Sequence, residues 1–241
     1  MKTQNMFGAA VSALAAAVIA SLTAGAASAN LITNGNFSAN ASSYVTYPGY
    51  SPGGGASGSN PATPSGWNIA GTPSPVVGVN GPDTSVGTPF APASTAGVRD
   101  FAFMQDTSIY SSVSISQTIS TVAGQLYALS YVAAQRSNDP NATLEALVLD
   151  AANSNAQIAS QAPSITTSAF LPFGLTFTAK STSTTIEFLN NTNNGADNTV
   201  DVSNVAVDAV PLPASMGLLG LGAAGLGMVL LKRRAHGSTS V

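Results

Sequence analysis

Residues 113–119 read VSISQTI, an alternation that puts Val113, Ile115 and Ile119 on one face and interrupts that face at Gln117. Period two is the mark of a half-buried β-strand. The neighbours read the same way. Arg99–Gln105 (RDFAFMQ) holds four adjacent apolar residues, as expected of a strand covered on both faces. Ala123-Gly124 is a turn, and Leu126–Ala134 (LYALSYVAA) is the strand after it. Leu144–Leu149 (LEALVL), Ala156–Ser160, Gly174–Thr178 (GLTFT), Thr185–Leu189 (TIEFL) and Val200–Val207 (VDVSNVAV) continue the series. LEALVLDAA is rich in good helix formers, but the strands around it favour a strand. On the other side, Trp67–Ala70 and Val76–Val79 are short strand candidates, and Asn30–Phe37 (NLITNGNF) reads as a first strand with a turn. The Gly-, Ser- and Pro-rich run Ser38–Pro64 and the stretch Pro89–Thr95 read as loops. Many short strands with turn residues at short intervals predict an all-β domain, a two-sheet antiparallel sandwich.

Both ends of the 241-residue chain depart from this composition. Met1–Ala29 carries Lys2, an apolar Ala-rich stretch, and the small residues Ala27-Ser28-Ala29 before Asn30, the three-part pattern of a secretory signal helix. Signal peptidase is therefore an expected partner, cutting between Ala29 and Asn30. Between residue 30 and residue 210 stand three basic residues, Arg99, Arg136 and Lys180, against ten acidic ones, a net of −7. Such a surface has no counterion-release drive toward DNA or RNA, so nucleic acid is excluded as a partner. There is no cysteine, and an exported domain without disulfides must rely on its core.

Catalysis is hard to build from these residues. The one histidine, His236, lies beyond the apolar tail, which excludes Ser-His chemistry and the usual zinc sites in the exported domain. A carboxylate pair could serve a glycosidase. Glu145, Asp150 and Glu187 are the candidates, and their simpler reading is as solvent-facing members of half-buried strands. Sugar binding needs a flat aromatic with fixed amides and carboxylates beside it. Trp67, Tyr44, Tyr47 and Tyr50 are the aromatics at or near loops, and Trp67 reads more readily as a partly buried structural ring. Gln135 and Arg136 end one strand, and Asp197 and Asn198 end a loop, so these four form either a pocket at one end of the sandwich or an Arg136–Asp197 tether. The Asn-x-Ser/Thr triplets at Asn36, Asn40, Asn141 and Asn190 are expected by chance in so Asn- and Thr-rich a chain.

NLITNGNF, Gly66-Trp67, FAFMQ, SISQTI, LYALSYVAAQR and NNGADNTVDVSNVAV, in that order, resemble the carbohydrate-module-like jelly rolls of the galactose-binding-like fold, over residues 30–209. The resemblance implies a jelly-roll domain that hosts sugar binding, peptide binding or scaffolding, and the fold alone does not choose among them. It also implies a structural calcium, for which the matching positions are Asn34, Asn36 and Asp201. Ser38 stands where the family often has an acid. Asn34-Gly35-Asn36 reads as well as a plain turn.

The tail, residues 210–241, has three parts. Val210-Pro211-Leu212-Pro213-Ala214 is followed by Met216–Leu231, 16 residues without a charge, and then by Lys232, Arg233 and Arg234. As a helix the apolar run is about 24 Å long, with five glycines that a transmembrane helix tolerates. The basic cluster predicts a stop on the cytoplasmic side of the inner membrane. This order resembles the PEP-CTERM class of sorting tails in its VPLPA variant. The resemblance implies recognition by an exosortase-type membrane peptidase in a Gram-negative bacterium, a transient stay in the inner membrane, and delivery to the cell surface or an extracellular polysaccharide matrix. The expected protein is non-enzymatic and needs no cofactor beyond that calcium. It binds or is embedded in exopolysaccharide, or is purely structural and adhesive. A carboxylate-based glycan hydrolase ranks behind both.

Overall fold

The computed structural model describes residues 29–39, 64–72, 76–80, 98, 100–106, 112–135, 142–166, 168–191 and 198–211. The signal segment before Ala29, Tyr44, Tyr47 and Tyr50, Arg136, Asp197, and the tail from Leu212 through Lys232, Arg233 and Arg234 lie outside them.

Ten strands form two antiparallel five-stranded sheets. They are β1 (Asn68–Thr72), β2 (Val76–Asn80), β3 (Phe101–Asp106), β4 (Ser112–Ser120), β5 (Leu126–Gln135), β6 (Glu145–Asp150), β7 (Ala156–Gln161), β8 (Leu171–Thr178), β9 (Ser183–Asn190) and β10 (Asn198–Ala209). One sheet has the order β1-β4-β9-β6-β7 and the other β2-β3-β10-β5-β8. The compact unit spans Ser28–Val210, and its architecture is a jelly-roll sandwich. LEALVL is a strand, paired with β9 on one side and β7 on the other.

Alternation decides what each sheet buries. Val113, Ile115 and Ile119 of β4, Ile186 and Phe188 of β9, and Ala146 and Val148 of β6 face Tyr127, Leu129, Tyr131 and Ala133 of β5 and Val200 and Val202 of β10 in one core cluster. Phe101–Met104 is covered on both faces. Ala102 and Met104 join that core, while Phe101 packs on the outer side with Val98, Ala134 and Phe170. The Phe101 and Phe170 ring centroids are 5.3 Å apart.

Two expectations are corrected. Asn30–Phe37 is not a regular strand. Asn34 and Phe37 take positive φ, 53° and 57°, which breaks extended geometry within the segment. The segment still pairs locally with the second half of β10: Leu31 N–H donates to Val207 O at 2.9 Å, and Gly35 O accepts from Val205 N–H at 3.0 Å. Gly35 is required there, because a Cβ would collide with the Val205 carbonyl oxygen. Asp150 is not solvent-facing. Strand parity places it with Ala146 and Val148 on the inner face of β6, where it is buried and accepts a 2.6 Å hydrogen bond from Ser181 Oγ.

Candidate functional site

At one end of the sandwich, β5 finishes at Gln135 and β10 begins at Asn198. Gln135 is in register with Val200, two residues from Asn198, so the structure brings the two amides to the same end. Both are buried, and Gln135 Oε1 has no hydrogen-bond partner among the described residues. Asn190 of β9 crosses between the sheets there, its Nδ2 donating to Met104 O at 3.0 Å and Asn198 O at 3.1 Å. Arg136 and Asp197, the charged members of this group, fall outside the described residues.

Trp67 is not at that end and is not at a surface. It is 3% exposed. Phe37 stacks on it at 5.2 Å and Phe188 lies 6.3 Å away. Its Nε1 donates to Asn34 O at 3.1 Å. A ring so covered has no free face for a sugar, and its place is the core. Among the described residues no aromatic side chain is exposed, and Phe173 is half-buried.

The three residues matched to a calcium site do not fit one. Asn34 Oδ1 accepts from Ala39 N–H at 3.0 Å, and its Nδ2 donates to Ser65 O. Asn36 Oδ1 accepts from Ser38 N–H and Ser38 Oγ, at 3.2 and 3.0 Å. Both side chains close the turn. Asp201 is fully buried on the outer face of its sheet, with register partners Phe103 and Ala134. Three residues of β10 and a bulge separate it from Val205, which the turn touches. No role for calcium is derived from this set.

The two remaining acids, Glu145 and Glu187, are half-buried on the outer face of the first sheet. Glu187 stands in a row of register partners that runs Asn68, Ser116, Glu187, Leu147, Ser160. Serine and threonine fill much of this face, with Thr118 and Thr185 hydroxyls paired at 2.8 Å. It is a surface of hydroxyls and amides with two carboxylates and a few leucines.

The opposite end of the sandwich holds the termini. Asn30 Oδ1 accepts from Ile32 N–H at 2.9 Å and from Val207 N–H at 3.0 Å, fastening the first expected residue of the exported chain to the last strand. β10 ends at Ala209, and Val210 and Pro211 follow directly. Gln125 sits beside them, its Nε2 within 2.8 Å of Val210 O. Nothing in the sequence pairs Gln125 with Val210, since the two are separated by 85 residues. The only sequence signal is a polar side chain between the turn at Gly124 and an apolar strand. Tyr131 was equally hidden: the sequence shows only its place in the strand LYALSYVAA, and its hydroxyl donates to Gln161 Oε1 at 3.1 Å. Burial pushes that phenol well above its ordinary range.

In fold the chain is similar to Fisc, a Stig cyclase from Fischerella sp. TAU solved with an indole ligand, at 14% identity and TM-score 0.56 over 78% of this chain and 100% of that one. TmCBM61, solved with beta-1,4-galactotriose, gives 13% identity and TM-score 0.44 over 70% and 99%. The CBM22-1 xylan-binding domain of Paenibacillus barcinonensis Xyn10C gives 11% and 0.42 over 63% and 90%. These are likenesses of fold. No curated protein matches the chain. Residues 209–234 match the PEP-CTERM protein-sorting motif, so the sandwich leads straight into a tail that implies an exported protein, anchored in the membrane until an exosortase processes it.

Proposed function

We propose that this protein is an exported, non-enzymatic component of the cell surface or extracellular matrix, carried there by its tail and associated with exopolysaccharide. The observation that carries the reading is the sorting-motif match beginning at residue 209, the last residue of the last strand. Signal peptidase opens the route by cutting between Ala29 and Asn30. Val210–Ala214, in the VPLPA form, is the segment the exosortase-type peptidase reads. The run from Met216 to Leu231 holds the chain in the inner membrane, and Lys232, Arg233 and Arg234 stop it there. The acidic domain is the part delivered.

For the glycan, the outer face of the first sheet offers hydroxyls, amides and the Glu187 carboxylate. Gln135 and Asn198, with Arg136 and Asp197 next to them in sequence, offer a second position at the loop end. A purely structural or adhesive role is favoured by one observation: Trp67 is buried, and no described aromatic presents a stacking platform. Two measurements decide. Intact-mass analysis of the native protein is expected to show an N-terminus at Asn30 and loss of Met216–Val241, and a mature protein that keeps that tail refutes sorting. Retention of the mature protein on purified exopolysaccharide is expected for the glycan reading, and passage through without retention leaves the structural one.

A further inference from the structure

β10 runs into the sorting motif without a linker. Ala209 is still in register with Tyr127 of β5. Val210, the first residue of the motif, keeps both backbone groups in the fold. Its N–H donates to Leu126 O at 2.9 Å, and its carbonyl accepts from Gln125 Nε2 at 2.8 Å. The same Nε2 donates to Leu126 O at 2.9 Å, so one amide group bridges the two strand ends. Gln125 is itself held in place. Its N–H donates to Val122 O, its carbonyl accepts from Ala179 N–H, and Gly124 N–H donates to Ala179 O, at 3.0, 3.0 and 2.8 Å. Gly124 turns the chain at φ 82°, a conformation suited to glycine. The compact unit ends at Val210. Pro211 is exposed and, lacking an N–H, cannot extend the ladder.

We propose that Gln125 is a positioning residue for tail processing: it clamps Val210 to the sandwich and restricts the chain open to the peptidase to Pro211 onward. The inference rests on the sorting reading above. A peptidase takes its substrate as an extended segment, and residues held in a sheet are available only in molecules whose strand end has opened. The clamp therefore makes the processing rate depend on how often the end of β10 frays.

The test uses the full-length chain in cells that contain the peptidase, with conversion from tailed to tail-free protein followed by pulse-chase and intact mass. Gln125→Ala is expected to speed conversion about three- to tenfold, the range for losing one neutral hydrogen bond from the closed state. Exchange of the Val210 amide is expected to rise by a similar factor. A second variant carries Gly-Ser-Gly-Ser-Val inserted after Val210, which keeps the clamp and moves an intact motif clear of it. It is expected to convert at least as fast as Gln125→Ala, with no further gain when the two are combined. Unchanged or slower conversion in Gln125→Ala, or an unchanged Val210 exchange rate, overturns the proposal. If Gln125→Ala also strips protection from Leu129 in mid-β5, it has unfolded the domain. The spacer variant then decides, and its failure to accelerate conversion overturns the proposal. A wild-type chain that never loses its tail defeats the sorting reading instead, and the Val210 amide still decides the clamp.

Discussion

Trp67 couples the start of the domain to its centre, because one ring packs on Phe37 and Phe188 while its nitrogen holds the Asn34 carbonyl. Trp67→Ala is expected to lower unfolding free energy by about 3–5 kcal/mol. Trp67→Phe should retain much of the packing and lose about 1 kcal/mol with the hydrogen bond. Urea unfolding monitored by circular dichroism checks both, and an unshifted midpoint for the alanine variant would contradict the core placement. Tyr131 gives the pH counterpart. Its folded-state pKa is raised by burial, so its contribution is complete below the unfolded value of about 10 and is lost as pH rises beyond it, because only the unfolded chain readily releases the proton. Stability should fall above about pH 10, and Tyr131→Phe should flatten that fall. At this scale the sequence is only partly legible. Gly66-Trp67 is compatible with a binding ring or a core ring, since ring chemistry is the same and only the packing partners differ. Gln117 reads as a flaw in an apolar face. In the fold it is buried and makes two hydrogen bonds to the backbone of Thr33, at 2.7 and 2.9 Å.

Strands with strict period two were legible because alternation is local. β4, β5 and β9 fall within a residue or two of where the pattern puts them. Asn30–Phe37 was misread because its partner is β10, more than 170 residues away, and because the positive-φ positions of Asn34 and Phe37 leave no mark in hydropathy. Asp150 was misread because a carboxylate at a strand end is usually wet, and its Ser181 partner is 31 residues distant. Asn190 shows the same blindness: as a glycosylation triplet it means nothing, whereas in the fold it is fully buried and ties both sheets. Asn190→Ala should cost about 2 kcal/mol by leaving two buried carbonyls without their donor. The shift in urea midpoint measures it, and a loss below a few tenths would show that the sheets are not joined there. Gly35→Ala should destabilise too, since the new methyl drives the N-terminal segment off Val205. The expected signature is faster exchange of the Leu31 and Val205 amides.

For the whole molecule, fold class and tail were legible for different reasons. The sandwich follows from repeated short alternation, and the tail from three compositional blocks in a fixed order. The ligand was not legible, because the described aromatic side chains are spent on the core. What hydropathy leaves invisible is where β10 lies in its sheet, and that has a consequence for the order in which the domain closes. β10 is the last strand of the sandwich in sequence, yet it lies in the middle of its sheet, between β3 and β5. Until β10 is in place, β3 and β5 each lack one neighbour, and the segment Asn30–Phe37 has nothing to fasten to. Contacts of such long sequence separation close last. The sandwich is thus kept from closing early, and it completes itself only when β10 takes its place between β3 and β5.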